Sequence, residues 1–247
     1  MTGRNIYKIP RYIAHRGLHD RFGKVPENST AAFSAALEQG FAIELDVRFT
    51  ADRRLVVFHD SDLLRMCGAQ VELKDLTYEE LKKYTLYSSG EHIPLLADVL
   101  RLVRGRVFLL IELKDCPEVP DAEKRLAHML RKYSGEYAVQ SFDPRSLMKL
   151  RLTAPEIMRG QLVSFAGSNK LLREIAATMP VWKAVSKPDF LSWDLKSVSI
   201  DSAFSAAELG AKLITWTADS RELIATADTF SDSVIFEDIP ADYFMDI

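Results

Sequence analysis

The chain is poor in cysteine, in charge of one sign and in long apolar runs, and each shortage excludes something. Its only cysteines, Cys67 and Cys116, fall in no CxxC pair and beside no nucleophile signature. A disulfide scaffold is therefore excluded, and both read as free thiols of a reducing compartment. With 32 Lys and Arg against 35 Asp and Glu the net charge is −3. That excludes the broad basic face needed for nucleic acid, although a small phosphate-bearing ligand stays admissible because local charge decides its binding. No stretch reaches the roughly 18 apolar residues of a membrane span, and the opening MTGRNIYKIPRYIAHRG holds no apolar run of signal-peptide length, so a cytoplasmic location is expected. There is no low-complexity tract, evident repeat or Gly/Ser-rich linker. Residues 1–247 are read as one domain, large enough to fold without disulfide or metal staples.

What the chain does have is an alternation of strand-like and helix-like segments. Tyr12-Ile13-Ala14 leads into His15, and Asn28-Ser29-Thr30 offers caps for an amphipathic run that Gly40 stops. AIELDV (Ala42 to Val47) and LVVFH (Leu55 to His59) read as strands, and Thr77-Tyr78-Glu79-Glu80 as a capping box. VFLLIEL (Val107 to Leu113) is a near-continuous apolar strand, and Leu126, Met129, Leu130 and Tyr133 mark a helix. A strand from Tyr137 to Phe142 precedes Asp143-Pro144, an N-cap followed by proline at the first helical position. Further strands are read at Met158–Leu162, Phe190–Leu195, Lys212–Thr217 and Ser233–Phe236. Apolar strands between helices imply a parallel sheet buried on both faces, an α/β protein whose size suits a barrel. The strands outnumber the places in an eight-strand barrel, and the Arg48–Arg54 connection is too short for a crossover helix, so irregularity is expected there.

Polar residues late in buried strands carry the chemistry. Glu44 and Asp46 share one face of their strand because side chains alternate, whereas Ile43, Leu45 and Val47 face the other way. Two carboxylates facing inward repel strongly at low dielectric, and a hard divalent cation such as Mg²⁺ or Ca²⁺ resolves that; the alternative is a half-exposed strand bearing two surface acids. Glu112, with Lys114 two residues on, is either a third oxygen ligand or half of a structural ion pair. His15 and His59 close apolar strands, where β/α barrels build active sites, and histidine serves as acid or base near neutral pH. Arg16 offers a fork for phosphoryl oxygens or a surface ion pair, and Gly17 permits close backbone approach.

These residues fall into an ordered series: His15-Arg16-Gly17, Pro26-Glu27-Asn28-Ser29, Glu44-Leu45-Asp46-Val47, His59-Asp60 and Ile111-Glu112-Leu113-Lys114. The series resembles the motifs of the glycerophosphodiester phosphodiesterases, and a weaker likeness continues through Ser141-Phe142, Trp216-Thr217 and Asp238-Ile239-Pro240. The resemblance implies a single TIM-type (β/α)8 barrel that hydrolyses glycerophosphodiesters to glycerol 3-phosphate and an alcohol. It implies one divalent metal on Glu44, Asp46 and Glu112, His15 and His59 as acid and base, Arg16 gripping the phosphate and Lys114 supporting it. Gln140, Phe142 and Trp216 line the pocket, with core packing the alternative for the two aromatic rings. Ser29 stands where the family usually has threonine, Asp219 where it often has asparagine, and Glu237 where threonine is common; these departures bear on the pocket, not the metal centre. A lysophospholipase D-like or sphingomyelinase D-like head-group cleavage on the same scaffold is the nearest alternative. An idle phosphodiester-binding barrel is the other, though binding alone has no use for His15 and His59. His19, close after the first motif, reads as a solvated loop histidine or as one that reaches the rim, and His92 and His128 read as surface residues. Trp182, Phe190, Trp193, Lys183 and Lys187 read as core packing or as a lipid-facing lip.

Overall fold

The computed structural model describes residues 8–20, 24–164, 186–198, 206–208 and 210–245. By its contacts the chain forms two compact units, Ala14–Glu136 and the remainder, Met1–Ile13 with Tyr137–Ile247. No helix of the described residues is long and apolar enough to cross a membrane.

The Ala14–Glu136 unit is entered from β1 (Tyr12–Ala14) and continues into α1 (Thr30–Gln39). Ser29 is the N-cap, its hydroxyl accepting the Ala32 N–H at 3.1 Å, and Gly40 ends the helix in the left-handed region at φ 74°. Then follow β2 (Ala42–Phe49) and β3 (Leu55–Val57). Their pairing is antiparallel, with Val47 opposite Val57 and Phe49 opposite Leu55. The connection expected to be irregular is thus a hairpin turn. Thr50 closes it, its hydroxyl accepting the Arg54 N–H at 2.9 Å, and β3 is the strand outside the β/α rhythm. Two short helices, α2 (Leu64–Cys67) and α3 (Tyr78–Leu81), pack Leu63, Met66 and Leu81 with Val56 and Phe58. The capping box at Thr77 and Glu80 is present but opens a single turn only. The helix α4 (Leu96–Val103) is absent from the sequence reading, although Leu96, Val99, Leu100 and Val103 recur at the i, i+3, i+4, i+7 spacing of an amphipathic helix; only a capping side chain is lacking. β4 (Leu109–Leu113) runs parallel to β2, with Leu45 beside Ile111 and Asp46 beside Glu112, and α5 (Ala122–Leu130) follows. Tyr133 falls beyond the end of α5, where its hydroxyl accepts the Gly105 N–H.

The other unit holds β5 (Tyr137–Ser141), α6 (Pro144–Thr153), β6 (Arg159–Val163), β7 (Phe190–Asp194), β8 (Lys212–Ala218), α7 (Arg221–Asp228) and β9 (Ser233–Phe236). Its strands β5 to β9 are parallel neighbours in chain order. α6 starts as expected, with Asp143 capping the Arg145 N–H and proline at the first helical turn. At Gly160 the absent side chain is a packing requirement. A Cβ there would lie 1.8 Å from the Phe190 ring. Phe190 and Trp193 are fully or nearly buried, so both belong to the core; Trp182 and Lys183, read with them, lie outside the described residues. Asp194 organises the turn after β7, accepting from the Ser164 hydroxyl and the Lys196 N–H.

Candidate active site

Every predicted metal ligand, both predicted catalytic histidines, Arg16 and Lys114 lie in the Ala14–Glu136 unit. Parallel pairing of β2 with β4 sets Asp46 beside Glu112, and the two-residue period of β2 puts Glu44 on the same face. Glu44, Asp46 and Glu112 are all buried, and their carboxylate oxygens lie within 4.8 Å of one another. The reading of Glu44 and Asp46 as half-exposed surface acids is therefore wrong. Every residue of β2 but Arg48 is buried, so neither face of the strand meets solvent.

Two cations partly neutralise this cluster. Lys114 Nζ lies 2.8 Å from Asp46 Oδ1 and 2.5 Å from Glu112 Oε1. Arg16 Nε lies 3.3 Å from Asp46 Oδ2, and the Arg16 backbone N–H donates to Glu44 Oε2 at 3.1 Å. That backbone bond requires Arg16 and Gly17 in the left-handed region, at φ 54° and 82°. At Gly17 a Cβ would come within 2.8 Å of the Ala32 backbone, so the glycine of the first motif serves close packing. Three carboxylates against two cations leave one negative charge over. Its burden falls on Glu44: burial, then repulsion from Asp46 and Glu112, pushes its carboxyl well above the usual range. Burial opposes ionisation of Asp46 too, but Lys114 and Arg16 outweigh it and hold that carboxyl far below its ordinary value. Burial would lower Lys114, yet Asp46 and Glu112 raise it above the ordinary lysine value.

Four residues that the sequence did not single out complete the arrangement. Asn28 is buried, its amide donating to Asp46 Oδ2 at 2.8 Å while its carbonyl accepts the Asp46 N–H at 3.3 Å. The sequence offered it as a helix cap; Ser29 takes that place, and a positive φ of 56° turns Asn28 toward β2 instead. Glu27 accepts from Arg16 Nη1 at 2.7 Å. Burial raises its carboxyl, but hydrogen bonds from Arg65 and the charges of Arg16 and Arg65 bring it down to about 2. Asp60 accepts from His59 Nδ1 at 2.7 Å, which leaves the far ring nitrogen, Nε2, for other work. Arg65 bonds both Asp60 and Glu27. Only the motifs containing Glu27, Asn28 and Asp60 hinted at them; Arg65 carried no signal. The His59 carbonyl is held by Arg48 Nε at 2.8 Å.

The remaining predicted residues sort as follows. His15 is half-buried at the end of β1. Trp216, in the other unit, donates its indole N–H to the Ser192 carbonyl at 2.9 Å and meets the Phe142 ring edge-on at 5.8 Å. Phe142 is 47% exposed and is no core residue; Gln140 is buried. His92 and His128 are exposed as expected, whereas His19 is half-buried, not solvated. Cys67 and Cys116 are free thiols, and burial pushes both up to about 11.

Glycerophosphodiester phosphodiesterase of Caldanaerobacter subterraneus is 38% identical over 161 residues, 61% of this chain and 65% of its own length. The chain thus spans just under two thirds of that curated relative. Among solved structures, a glycerophosphodiester phosphodiesterase from Parabacteroides distasonis is 27% identical, with a TM-score of 0.75 over 95% of each chain. An Oleispira antarctica phosphodiesterase, solved in complex with the product sn-glycerol-3-phosphate, is 23% identical with a TM-score of 0.79 over 96% of each chain. This likeness gives the fold class as the expected TIM-type (β/α)8 barrel. The model of the Glycerophosphoryl diester phosphodiesterase family matches residues 15–241, from the first predicted catalytic histidine to beyond the last strand. A match of that extent means that the chain belongs to the glycerophosphoryl diester phosphodiesterase family.

Proposed function

We propose that the chain, acting as a single domain over residues 1–247, hydrolyses small glycerophosphodiesters to glycerol 3-phosphate and an alcohol. The observation that carries this is the buried trio Glu44, Asp46 and Glu112, flanked by Arg16 and Lys114, beside a histidine braced by Asp60. The trio fits a divalent ion, Mg²⁺ or Ca²⁺, on its own chemistry. It offers three hard oxygen donors within 4.8 Å of one another and carries a charge that the two local cations leave unbalanced. When bound there, such an ion would offset the charge of the diester and polarise its phosphoryl oxygen.

The chain's own groups supply the rest. Arg16 and Lys114 present cationic donors to the phosphoryl oxygens. His15 and His59 share proton transfer, one taking a proton from the attacking water and the other giving one to the departing alkoxide. Asp60 keeps His59 in the tautomer with its proton on Nδ1, so Nε2 is the working nitrogen. An idle binding module would have no use for that brace.

The test is a release assay over several glycerophosphodiesters and lysophospholipids, with EDTA and then with Mg²⁺ or Ca²⁺ restored. Glycerol 3-phosphate release that stops with chelator and returns with metal is expected. Release unaffected by thorough chelation would overturn the metal assignment, and preference for lysolipids would replace the proposed substrate class.

A further inference from the structure

We infer that Arg65 is a positioning residue, a single guanidinium that clamps the carboxylates behind both His59 and Arg16; the inference rests on the roles proposed above for those two residues. The geometry is a chain of five side chains. His59 Nδ1 meets Asp60 Oδ1 at 2.7 Å, and the other oxygen of Asp60 accepts from Arg65 Nε at 2.7 Å. Arg65 then forks onto Glu27, with Nη1 on Oε2 at 2.9 Å and Nη2 on Oε1 at 2.7 Å. Glu27 Oε1 also takes Arg16 Nη1 at 2.7 Å. Asp60 thus turns one oxygen to His59 and the other to Arg65, while Glu27 gives both oxygens to Arg65 and shares Oε1 with Arg16.

An ordinary surface ion pair contributes little and holds little in place. Arg65 differs in that three of its donors are committed to two carboxylates in fixed directions, the arrangement a planar guanidinium can make and an ammonium cannot. Its backbone is anchored as well. Arg65 sits on α2, whose Met66 is buried in the cluster with Phe58 and Leu73, and the Asp62 carboxylate accepts the Leu64 N–H at 2.8 Å. Packing therefore fixes where the guanidinium stands, while its side chain remains 43% exposed and no part of the core depends on it. Without Arg65, Asp60 is free to turn away from His59, and Glu27 is drawn toward Arg16 alone.

The test compares wild type with Arg65→Ala and Arg65→Lys, and with Asp60→Asn and Glu27→Gln in both wild-type and Arg65→Ala backgrounds. Arg65→Ala is expected to lower kcat about 10- to 100-fold, the usual effect of small displacements of reacting groups, and to lower the thermal midpoint by no more than Glu27→Gln does, because part of the stabilisation of the Glu27 carboxylate comes from Arg65. Arg65→Lys should recover only a small part of the loss, because it cannot fork. Millimolar ethylguanidinium should raise kcat of Arg65→Ala and leave wild type unchanged. Asp60→Asn should mainly lower kcat and Glu27→Gln mainly raise KM, each by a smaller factor once Arg65 is gone. By NMR, the His59 Nδ1 proton should be protected from exchange in wild type and in Arg65→Lys less so. Full kcat in Arg65→Ala, or in Arg65→Lys should the alanine variant not fold, would reduce Arg65 to a surface ion pair. A wild type that releases no glycerol 3-phosphate would instead strike at the proposed function, and the NMR comparison would still judge the clamp.

Discussion

Glu27→Gln offers a direct measure of how much charge organisation around the site stabilises the fold. Glu27 lies between Arg16 and Arg65, and its side chain is only 13% exposed, so solvent screens the pair weakly. Its carboxyl is brought from an ordinary 4.5 down to about 2. A carboxyl whose folded pKa is depressed adds stability that is complete above its unfolded pKa and is lost as pH falls toward its folded pKa. At about 1.4 kcal/mol per pKa unit, the shift corresponds to about 3 kcal/mol at neutral pH. Glutamine keeps the shape and one acceptor but not the charge. In urea unfolding at constant ionic strength with EDTA present, wild type should exceed the variant by about 3 kcal/mol at pH 7. That gap should shrink as pH falls below about 4.5 and nearly close at about 2. Groups that titrate alike in both proteins cancel in the difference. A gap that stays constant across this range would refute the electrostatic account and assign the loss to packing; no gap at pH 7 would refute both.

Other consequences are equally specific. Asn28→Ala should destabilise by about 2 kcal/mol in the same urea assay and reduce turnover, because it strips Asp46 of two hydrogen bonds inside a buried cluster. Gly160→Ala should cost about 2–3 kcal/mol from the clash with Phe190, and Phe190→Leu in the same chain should recover part of it. His59→Ala should abolish product release while divalent-metal binding, followed by calorimetry, persists; metal binding lost in a folded variant would place His59 among the ligands.

Elements whose signals are local can be read directly along the chain. Gly40, Thr77 with Glu80, and Asp143-Pro144 each mark a helix end through chemistry contained in a few residues, and each is found in place. The apolar strands were legible for the same reason, with ends that moved by a residue or two. Ordered motifs sufficed to name the family and to nominate Glu44, Asp46, Glu112, His15 and His59. Tertiary structure decided what depends on groups distant in the chain. The register that sets Asp46 beside Glu112 joins residues 66 positions apart in sequence, and no local pattern encodes it. Asn28 became a partner of Asp46, not a cap, because a left-handed backbone aims it at β2. The hairpin of β2 and β3 absorbed the extra strand that the β/α alternation could not place. Arg65 looked like any surface arginine on a short helix, and only folding brings Glu27, 38 residues earlier, within reach of its fork. Charge networks are satisfied by whatever lies near in space, so their members appear in a sequence only when a motif happens to contain them.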